Sequence, residues 1–402
     1  MQDTQDVASL SPLNIDARVL GTYQIADRIQ IHDVTLRDGE QTPGVVFDRE
    51  GRLRIARALD ALGVHRIEAG FPAVSEEDRD ALAAIVAEGL DAEIWGFGRC
   101  LPQDVELNAD CGVKQMTLEI SISPLKMSAY GLTQNKVMDR MLSALTLAKE
   151  KGLRVAFMPV DLTRAELPFA QEIITRAVEE GQADEIVVVD TIGVTTPEAI
   201  FQLTRWIGEW VPVPLAIHCH NDFGLGLANS LAALKAGATC VHVSINCLGE
   251  RAGNVDLAEV IMTLQLLYGI ELGVRTELLT ETARLIETLS GYDLPLTKPI
   301  TGERIFVRES GGVVQQLVTL PAAVEPYPPE LVGLARDVVL GKMSGRYSIQ
   351  HVLDRLGLEA SDEEIDRALA EVKQRSNTRH GLIDDAEFRE ILAAVRKGQR
   401  GR

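Results

Sequence analysis

The sequence predicts an α/β protein, a (β/α)8 TIM barrel followed by a linker and a small C-terminal α-helical domain. Short β-branched runs alternate with amphipathic segments between residues 28 and 290, and their number and size suit that fold. Polar residues fall at or just beyond the carboxyl ends of several runs, where barrel enzymes place their chemistry. A doubly wound open sheet is the competing arrangement, but it would gather those residues at one switch point.

The elements follow in a regular order after a polar segment, residues 1–27, that we predict to be a flexible N-terminal arm. The predicted strands are Arg28–Thr35, His65–Pro72, Glu93–Arg99, Gln115–Ser123, Arg154–Asp161, Glu185–Thr191, Val213–Asn221 and Cys240–Gly249. Apolar residues recur at helical spacing in Arg49–Leu62, Glu76–Glu88, Lys136–Lys151, Ala165–Glu180, Pro197–Trp210 and Ala228–Lys235. Residues 28–290 are therefore predicted to form the catalytic barrel.

The alternation stops after about residue 290, where prolines become frequent and predict a linker, or first subdomain, over residues 291–347. Helical patterns return at Glu330–Val339, Ser348–Leu356, Asp362–Ser376 and Asp385–Lys397. Acidic residues begin the last two patterns, at the end of a helix where its dipole favours negative charge. Residues 348–402 are therefore predicted to form a helical subdomain.

The composition limits the classes of partner. The net charge is −19, which argues against nucleic acid and against an anionic membrane surface. We find no apolar run near the ~20 residues that span a bilayer, and no basic segment with an apolar core at the N-terminus. Five cysteines scattered through strand-like runs do not resemble a disulfide framework. The sequence therefore predicts a cytoplasmic protein with reduced cysteines.

The segment His218-Cys219-His220 carries the strongest chemical signal. Side chains alternate along a strand, so the two imidazoles point to the same side and one metal can take both. Asp38 also follows a strand-like run, and the three residues together predict a divalent-metal site with open positions. Taken alone, the histidine pair is equally compatible with a half-buried polar strand edge.

Five motifs, taken together, resemble the homocitrate synthase and 2-isopropylmalate synthase family, also called DRE-TIM metallolyases. They are Thr35-Leu36-Arg37-Asp38-Gly39-Glu40-Gln41, Ile67-Glu68-Ala69-Gly70-Phe71-Pro72, Asp190-Thr191-Ile192-Gly193-Val194, His218-Cys219-His220-Asn221-Asp222 and Gly249-Glu250-Arg251-Ala252-Gly253-Asn254. The resemblance extends from about Arg28 to Leu358. It implies a metal-dependent acyltransferase that joins the methyl carbon of acetyl-CoA to the ketone of a 2-oxo acid and then hydrolyses the thioester. It also implies an intertwined homodimer.

The resemblance implies a role for each motif residue. Asp38, His218 and His220 would bind Mg, Mn, Zn or Co, and Asn254 would lie near the metal or in its outer shell. The implied catalytic residues are Arg37, which would stabilise negative charge on the developing alkoxide or enolate, Glu68 and Tyr327. The implied substrate-binding residues are Arg37, Gln41, Arg99, Thr191, Met158 and Val160. In the simpler interpretation, Arg37 only pairs with Asp33 or Glu68, and Thr191 only caps a turn.

Three positions depart from the family pattern where the family carries acid and base groups. Val313 stands in place of a histidine, Val324 in place of a tyrosine and Val160 in place of a glutamate. Valine cannot move a proton. The proton transfers would then pass to Tyr327, Glu309, His351 or water.

The predicted substrate pocket also departs from that of homocitrate synthases. Those enzymes use an arginine and a serine for the distal carboxylate of 2-oxoglutarate, and Ala156 and Met158 occupy those places. With Phe157 and Val160 beside them, we expect a more apolar pocket. The leading hypothesis is an acyl-CoA-dependent synthase with an altered 2-oxo acid. The alternatives are a metal-dependent aldolase, lyase or decarboxylase that does not use acyl-CoA, and an impaired paralogue with a binding role.

Overall fold

The structure, a computed structural model, describes residues 10–399, with side chains described to residue 397. Eight parallel strands, β1 to β8, close into a barrel, because β1 pairs with both β2 and β8. They are Gln30–Asp33, Arg66–Glu68, Glu93–Arg99, Gln115–Ser121, Arg154–Val160, Glu185–Asp190, Leu215–Cys219 and Cys240–Val243. The barrel prediction is confirmed: one strand, Glu93–Arg99, ends where predicted, and the other seven end one to six residues earlier than the apolar runs suggest.

Helices follow the strands around the barrel. They are α1 to α11, at Ala17–Leu20, Arg49–Leu62, Glu76–Ala87, Pro102–Asp110, Pro124–Ala129, Gln134–Glu150, Leu167–Glu179, Pro197–Trp210, Gly226–Lys235, Leu257–Met262 and Leu279–Ser290. Polar caps set where several of them begin. The Asp48 carboxylate, for example, accepts the Gly51 amide at 2.7 Å and starts α2, satisfying one of the free N–H groups of its first turn. No helix among residues 10–399 has the length and apolarity to cross a membrane.

Side chains from alternate strand positions fill the barrel. An apolar cluster occupies its middle and is formed by Trp95, Phe97, Ala156, Met158, Val160, Val187, Val189, Ala216 and Cys240. At the amino end of the strands, Arg66 Nη1 donates to Glu185 at 2.9 Å. At the carboxyl end, charged side chains from the loops after β1 and β7 converge above the apolar layer. The interior is therefore a packed core with a polar rim rather than a channel.

The described part of the predicted flexible arm contains local structure, and its flexibility stays a prediction. Pro12–Ile15 forms a 3-10 turn and α1 follows it. The ring of Tyr23 lies edge-on to that of Tyr268, 5.6 Å between centroids, and the Lys235 ammonium lies 4.7 Å from the Tyr23 ring. Two aromatic contacts anchor a segment too short to show a helical period. Residues 1–9 lie outside the described residues.

Residues 295–399 contain a second compact unit. Its helices, α12 to α15, are Gly311–Thr319, Arg346–Arg355, Asp362–Arg379 and Asp385–Gln399, and its short strands, β9 and β10, are Val307–Arg308 and Asp337–Val338. The last three helices match predicted ones. Ser361 and Glu364 exchange side-chain to backbone hydrogen bonds at 3.2 and 2.9 Å, which is the capping box that starts α14.

Two predictions for this unit are wrong. The predicted helix Glu330–Val339 is a 3-10 turn, Pro329–Val332, followed by β10. Gly333 ends the turn with a φ of 74°, in the left-handed region that glycine adopts without strain. Conversely, α12 lies inside the predicted linker, because its apolar face, Val314 and Leu317, packs on Val338 of β10. Tertiary packing overrides the proline and glycine signals on which the linker prediction rested.

Candidate active site

Asp38, His218 and His220, which we call the aspartate cluster, converge at the carboxyl end of the barrel. The Nε2 atoms of the two histidines lie 3.3 Å apart. Asp38 Oδ2 lies 3.3 Å from His218 Nε2 and 3.7 Å from His220 Nε2. All three side chains are at most 5% exposed. His218 is the next-to-last residue of β7, and His220 is held two residues later by a bridge to Asn254, so both imidazoles face the same side as predicted.

The protonation states of the aspartate cluster suit a divalent metal. Burial would raise the pKa of the Asp38 carboxyl, but the Arg37 guanidinium and the two imidazoles overcome it and hold that pKa well below its usual range. Burial lowers the pKa of His220 to about 4, against the attraction of Asp38. Metal ligands must be deprotonated, and here one anion and a neutral imidazole are already available. Asp38 Oδ1 and both histidine Nδ1 atoms are buried without a protein partner, so the residues fit a bound ion and its outer shell.

Arg37 lies beside the aspartate cluster and is 7% exposed. Its Nε donates to Glu68 Oε2 at 2.5 Å, and its Nη1 lies 3.2 Å from Asp38 Oδ2. The guanidinium carbon lies 4.1 Å from the centre of the Phe97 ring. Its Nη2 is buried and has no protein partner. Glu68 and Phe97 therefore fix the guanidinium while one N–H edge remains available for an anionic oxygen.

Thr191 follows β6, and its hydroxyl oxygen accepts the Asp161 amide at 2.8 Å. This contact is the strand-end role that the simpler interpretation of Thr191 expected. A hydroxyl also has a proton to donate, so the contact does not exclude a second partner. Asn254 is 1% exposed, donates through Nδ2 to the Leu248 carbonyl at 3.1 Å, and leaves Oδ1 buried without a partner. Thr191 directly follows β6, and Asn254 forms a bridge with His220 of the aspartate cluster.

The glycine-rich loop 249–254 is tied to the loop after β1. The Thr42 hydroxyl accepts the Gly249 amide at 2.7 Å and donates to the Gly249 carbonyl at 3.1 Å. Gly253 has a φ of 75°, and a Cβ added there would lie 1.6 Å from the Cys247 carbonyl oxygen. Only glycine fits at that position. The loop thereby places Asn254 beside His220. Its contacts with Thr42 and His220 bring the motifs after β1, β7 and β8 together in one site.

Two predicted substrate residues lie farther out on the rim. Gln41 is exposed and lines a cavity of about 270 Å³ together with Arg37 and Phe71. The Arg99 guanidinium is held by Asp104, with Nε 2.8 Å from Oδ2 and Nη2 3.0 Å from Oδ1. Gln41 therefore shares a cavity with Arg37, whereas the charge of Arg99 is largely neutralised by its neighbour.

Met158 and Val160 lie in the apolar cluster inside the barrel, and their role in substrate binding stays a prediction. The expectation for Phe157 is wrong. It is fully buried but does not belong to that cluster, because neighbouring residues on β5 point to opposite faces of the strand. The apolar wall is therefore formed by Met158 and Val160, with Phe71 packed against it.

Tyr327 belongs to the second unit and is 8% exposed. Its ring lies edge-on to Phe306, with 5.5 Å between centroids, and burial raises the pKa of its hydroxyl to about 12. The phenol is therefore protonated at neutral pH. Its catalytic role stays a prediction.

Two features of the barrel interior were not predicted from the sequence. Glu119 on β4 is half-buried, and it shares its electrostatic surroundings with Arg37, Asp38 and Glu68. The second feature is the thiol cluster, which we define as His32, Cys240 and His242, whose possible ligand atoms lie within 4.8 Å of one another. Polar residues at alternate positions of otherwise apolar strands are the sequence signal for both.

The closed barrel, with two histidines, an aspartate and a buried arginine at the carboxyl ends of its strands, places the chain in the DRE-TIM class of barrel proteins. The chain belongs to the homocitrate synthase and 2-isopropylmalate synthase family: HMGL-like domains match residues 28–286, and the homocitrate synthase post-HMGL domain-like family matches residues 300–380. The resemblance inferred from the five motifs is thereby confirmed.

Three relatives, each named as a different synthase, are similar in sequence to most of this chain. Homocitrate synthase AksA of Methanothermobacter thermautotrophicus is 39% identical over 96% of this chain and 98% of its own length. A probable 2-isopropylmalate synthase of Methanopyrus kandleri is 43% identical over 87% and 70%, and (R)-citramalate synthase CimA of Methanocaldococcus jannaschii is 39% identical over 92% and 74%. The HMG-CoA lyase of Bacillus subtilis aligns with a TM-score of 0.60 at 21% identity, covering 67% of this chain and 96% of the lyase, which supports the fold alone.

Proposed function

We propose that the protein is a divalent-metal-dependent acyltransferase that condenses acetyl-CoA, or another acyl-CoA, with a 2-oxo acid to give a 2-hydroxy-2-alkyl dicarboxylate. The observation that carries the proposal is the aspartate cluster beside a buried arginine with an unpartnered Nη2. Relatives named homocitrate, 2-isopropylmalate and citramalate synthases, each similar over most of the chain, support the same reaction class.

Asp38, His218 and His220 would hold the ion, and the side-chain oxygen of Asn254, Oδ1, would lie in its outer shell. Two imidazoles and one carboxylate suit Mg, Mn, Zn or Co. When bound, the metal supplies Lewis acidity to the keto and carboxylate oxygens of the 2-oxo acid.

Arg37 would stabilise the negative charge that develops on the keto oxygen. Its Nη2 is desolvated and already oriented by Glu68, so little reorganisation is needed when the charge forms. The Thr191 hydroxyl would donate a hydrogen bond to the 2-oxo carboxylate, and Gln41 would line the entrance beside Arg37. Glu68 acts through Arg37, whose orientation it fixes.

The substrate side chain would be apolar. Met158 and Val160 form the wall of the barrel interior at this level, and Ala156 lies next to them in the same cluster. None of the three offers a hydrogen bond, so a second carboxylate placed against them would lose its hydration without compensation. We therefore propose branched or aromatic 2-oxo acids rather than 2-oxoglutarate.

We also propose that the protein is cytoplasmic and works as an intertwined homodimer in which the second unit, including Tyr327, completes the site of a partner barrel. The family resemblance supports this arrangement. Sedimentation velocity would find a dimer, and mixing a Tyr327→Phe chain with a His218→Ala chain would restore turnover if the site is shared. A fully active monomer would contradict it.

The function is tested by free-thiol release from acetyl-CoA with added divalent metal and a panel of 2-oxo acids, including branched, aromatic, phosphonate-bearing and 2-oxoglutarate acceptors. Thiol release that depends on one acceptor and on metal supports the synthase and names the substrate. Metal-dependent consumption of a 2-oxo acid without thiol release would favour the lyase instead. His218→Ala is the negative control.

A further inference from the structure

Glu119 lies on β4, two residues before the carboxyl end of the strand. In the strand register it is level with Arg99 on β3 and Met158 on β5. Its neighbours Leu118 and Ile120 are buried on the other face of the strand, as alternation requires. The charges that act on its carboxylate include those of Arg37, Asp38 and Glu68. Glu119 is therefore part of the same rim as the aspartate cluster.

The Glu119 carboxylate has no hydrogen-bond or ion-pair partner in the described part of the chain, unlike the carboxylates around it. Acidic side chains near the rim have partners: Glu68 pairs with Arg37, Glu40 with Arg52, Asp161 with Arg164, Asp190 with Thr163 and Asp222 with Arg251. The backbone carbonyl of Glu119 accepts the Cys100 amide, but within residues 10–397 its carboxylate has electrostatic neighbours and neither a hydrogen bond nor an ion pair. A half-buried carboxylate that gains no such contact contributes nothing to folding that would explain its position.

Glu119 also lines a cavity of about 350 Å³, together with Arg99, Ser121, Tyr130 and Arg140. A ligand bound in this cavity, at the carboxyl ends of β3 and β4, would therefore lie next to Glu119. Burial raises the pKa of the Glu119 carboxyl above its usual value, in spite of the opposing charges of Arg37 and Lys126. A carboxylate so placed is a stronger base than one in water, and it is open to a ligand.

We propose that Glu119 is the catalytic residue that takes the proton from the α-carbon of the acyl thioester. This inference rests on the proposed function. The C–H bond breaks and its proton passes to the Glu119 carboxylate, while the C–H electron pair forms the new bond to the keto carbon. The π pair of the ketone moves onto its oxygen, beside Arg37 Nη2. Protonated Glu119 then returns its proton to that oxygen, and water cleaves the thioester to a carboxylate and a free thiol.

The test is Glu119→Gln, which keeps the size and shape of the side chain but removes its basicity. Loss of a general base lowers kcat by about 10²- to 10⁴-fold. We expect that loss with the KM for the 2-oxo acid and the metal affinity each within about threefold of wild type. Glu119→Asp keeps a carboxylate and should recover part of the rate. Glu106→Gln, which removes an exposed carboxylate from α4, is the matched control and should not change kcat.

A pH profile separates a base from a residue that only supports the fold. For wild type, kcat/KM should rise as the pH increases through the pKa of Glu119, since the base must be deprotonated, and this acid limb should be absent from Glu119→Gln. An unchanged kcat in Glu119→Gln, with wild type releasing thiol, would overturn the role of Glu119 alone. No thiol release by wild type with any acceptor would overturn the proposed function instead. Circular dichroism and metal titration of both Glu119 variants exclude misfolding.

Discussion

The aspartate cluster and the thiol cluster lie in one barrel, contain two histidines each, and differ in charge. They are neighbours, because the ring centroids of His218 and His242 are 5.5 Å apart. In the aspartate cluster the two Nε2 atoms face each other at 3.3 Å beside an ionised carboxylate. In the thiol cluster the rings of His32 and His242 stack, with centroids 4.2 Å apart and planes 33° from parallel. Residue types are similar, but the geometry and the charge are not.

The thiol cluster has no anion to offer a metal. Burial raises the pKa of the Cys240 thiol far above its ordinary value, and burial lowers the pKa of both His32 and His242 well below theirs. The Arg66 Nη1 atom lies 3.7 Å from Cys240 Sγ and adds a positive charge. A divalent ion there would have to displace the thiol proton next to a guanidinium. The comparison indicates that a charged partner, more than the set of ligand atoms, distinguishes a candidate metal site from a polar core.

The largest effect is expected from His218→Ala. It removes one of three ligands, so we expect metal affinity to fall by more than the ~10- to 100-fold seen when outer-shell partners are lost, and turnover to disappear. Isothermal titration of the metal-depleted variant with Mn²⁺ or Zn²⁺ measures the metal affinity, and the thiol-release assay measures turnover. Full activity of the metal-depleted variant would refute the assignment of the aspartate cluster.

The next largest effect concerns the cation that holds Asp38 ionised. Arg37→Gln should lower kcat by about 10²- to 10³-fold, the usual loss for a donor that stabilises a developing oxyanion. It also leaves Glu68 buried without its partner, which costs about 3–5 kcal/mol of unfolding free energy. The double variant Arg37→Gln/Glu68→Gln is the control. It should regain most of the stability in urea unfolding while kcat stays low, and recovery of kcat would show that Arg37 acts only through folding.

Asp33 and Asp38 sharpen the comparison, since both are buried, Asp33 at the end of β1 and Asp38 in the loop that follows it. Burial raises the pKa of Asp33 to about 7, because the Thr35 amide and hydroxyl oppose it only in part, whereas Arg37 keeps that of Asp38 low. The unfolded Asp33 carboxyl ionises near pH 3.9. Asp33 therefore stabilises the fold below about pH 4, and this contribution is lost as the pH rises to about 7.

The magnitude of that loss is at most about 4 kcal/mol, since each unit of pKa is worth about 1.4 kcal/mol. Asp33→Asn cannot ionise, so relative to wild type it should gain unfolding free energy at pH 8 compared with pH 4.5. Urea unfolding of metal-free protein at the two pH values measures the difference, and titrations common to both chains cancel. A variant that loses stability at pH 8 relative to pH 4.5 would show that Asp33 is ionised in the fold.

The sequence predicted those features that follow from periodicity. Eight strands follow from β-branched runs, and the shared direction of His218 and His220 follows from the two-residue repeat of a strand. The predicted helix Glu330–Val339 failed because Gly333 adopts a left-handed conformation that periodicity does not reveal. The anchoring of the segment before β1 depends on Tyr23 meeting Tyr268, residues that only the fold brings together.

The chemistry of the site was less predictable than its ligands. That Arg37 pairs with Glu68 and keeps Nη2 available is a property of three-dimensional packing. Glu119 carried a signal, since polar residues alternate along β4, but nothing in one strand reveals that a carboxylate lacks a partner. Cys240 and His242 show the converse, because their spacing mimics a metal motif while Arg66, from another strand, determines the charge around them.

The smallest effect is expected from Cys240→Ala. If the thiol cluster is a polar core, the variant keeps one equivalent of bound metal per chain, keeps kcat within about threefold, and loses about 1 kcal/mol of unfolding free energy for the atoms removed. Metal analysis after dialysis of wild type and variant at pH 7 and pH 9 counts the ions. The thiol stays protonated across that range, so the count should remain one. A second equivalent in wild type that Cys240→Ala removes would make the thiol cluster a metal site and would show that metal binding can displace a buried thiol proton even beside Arg66.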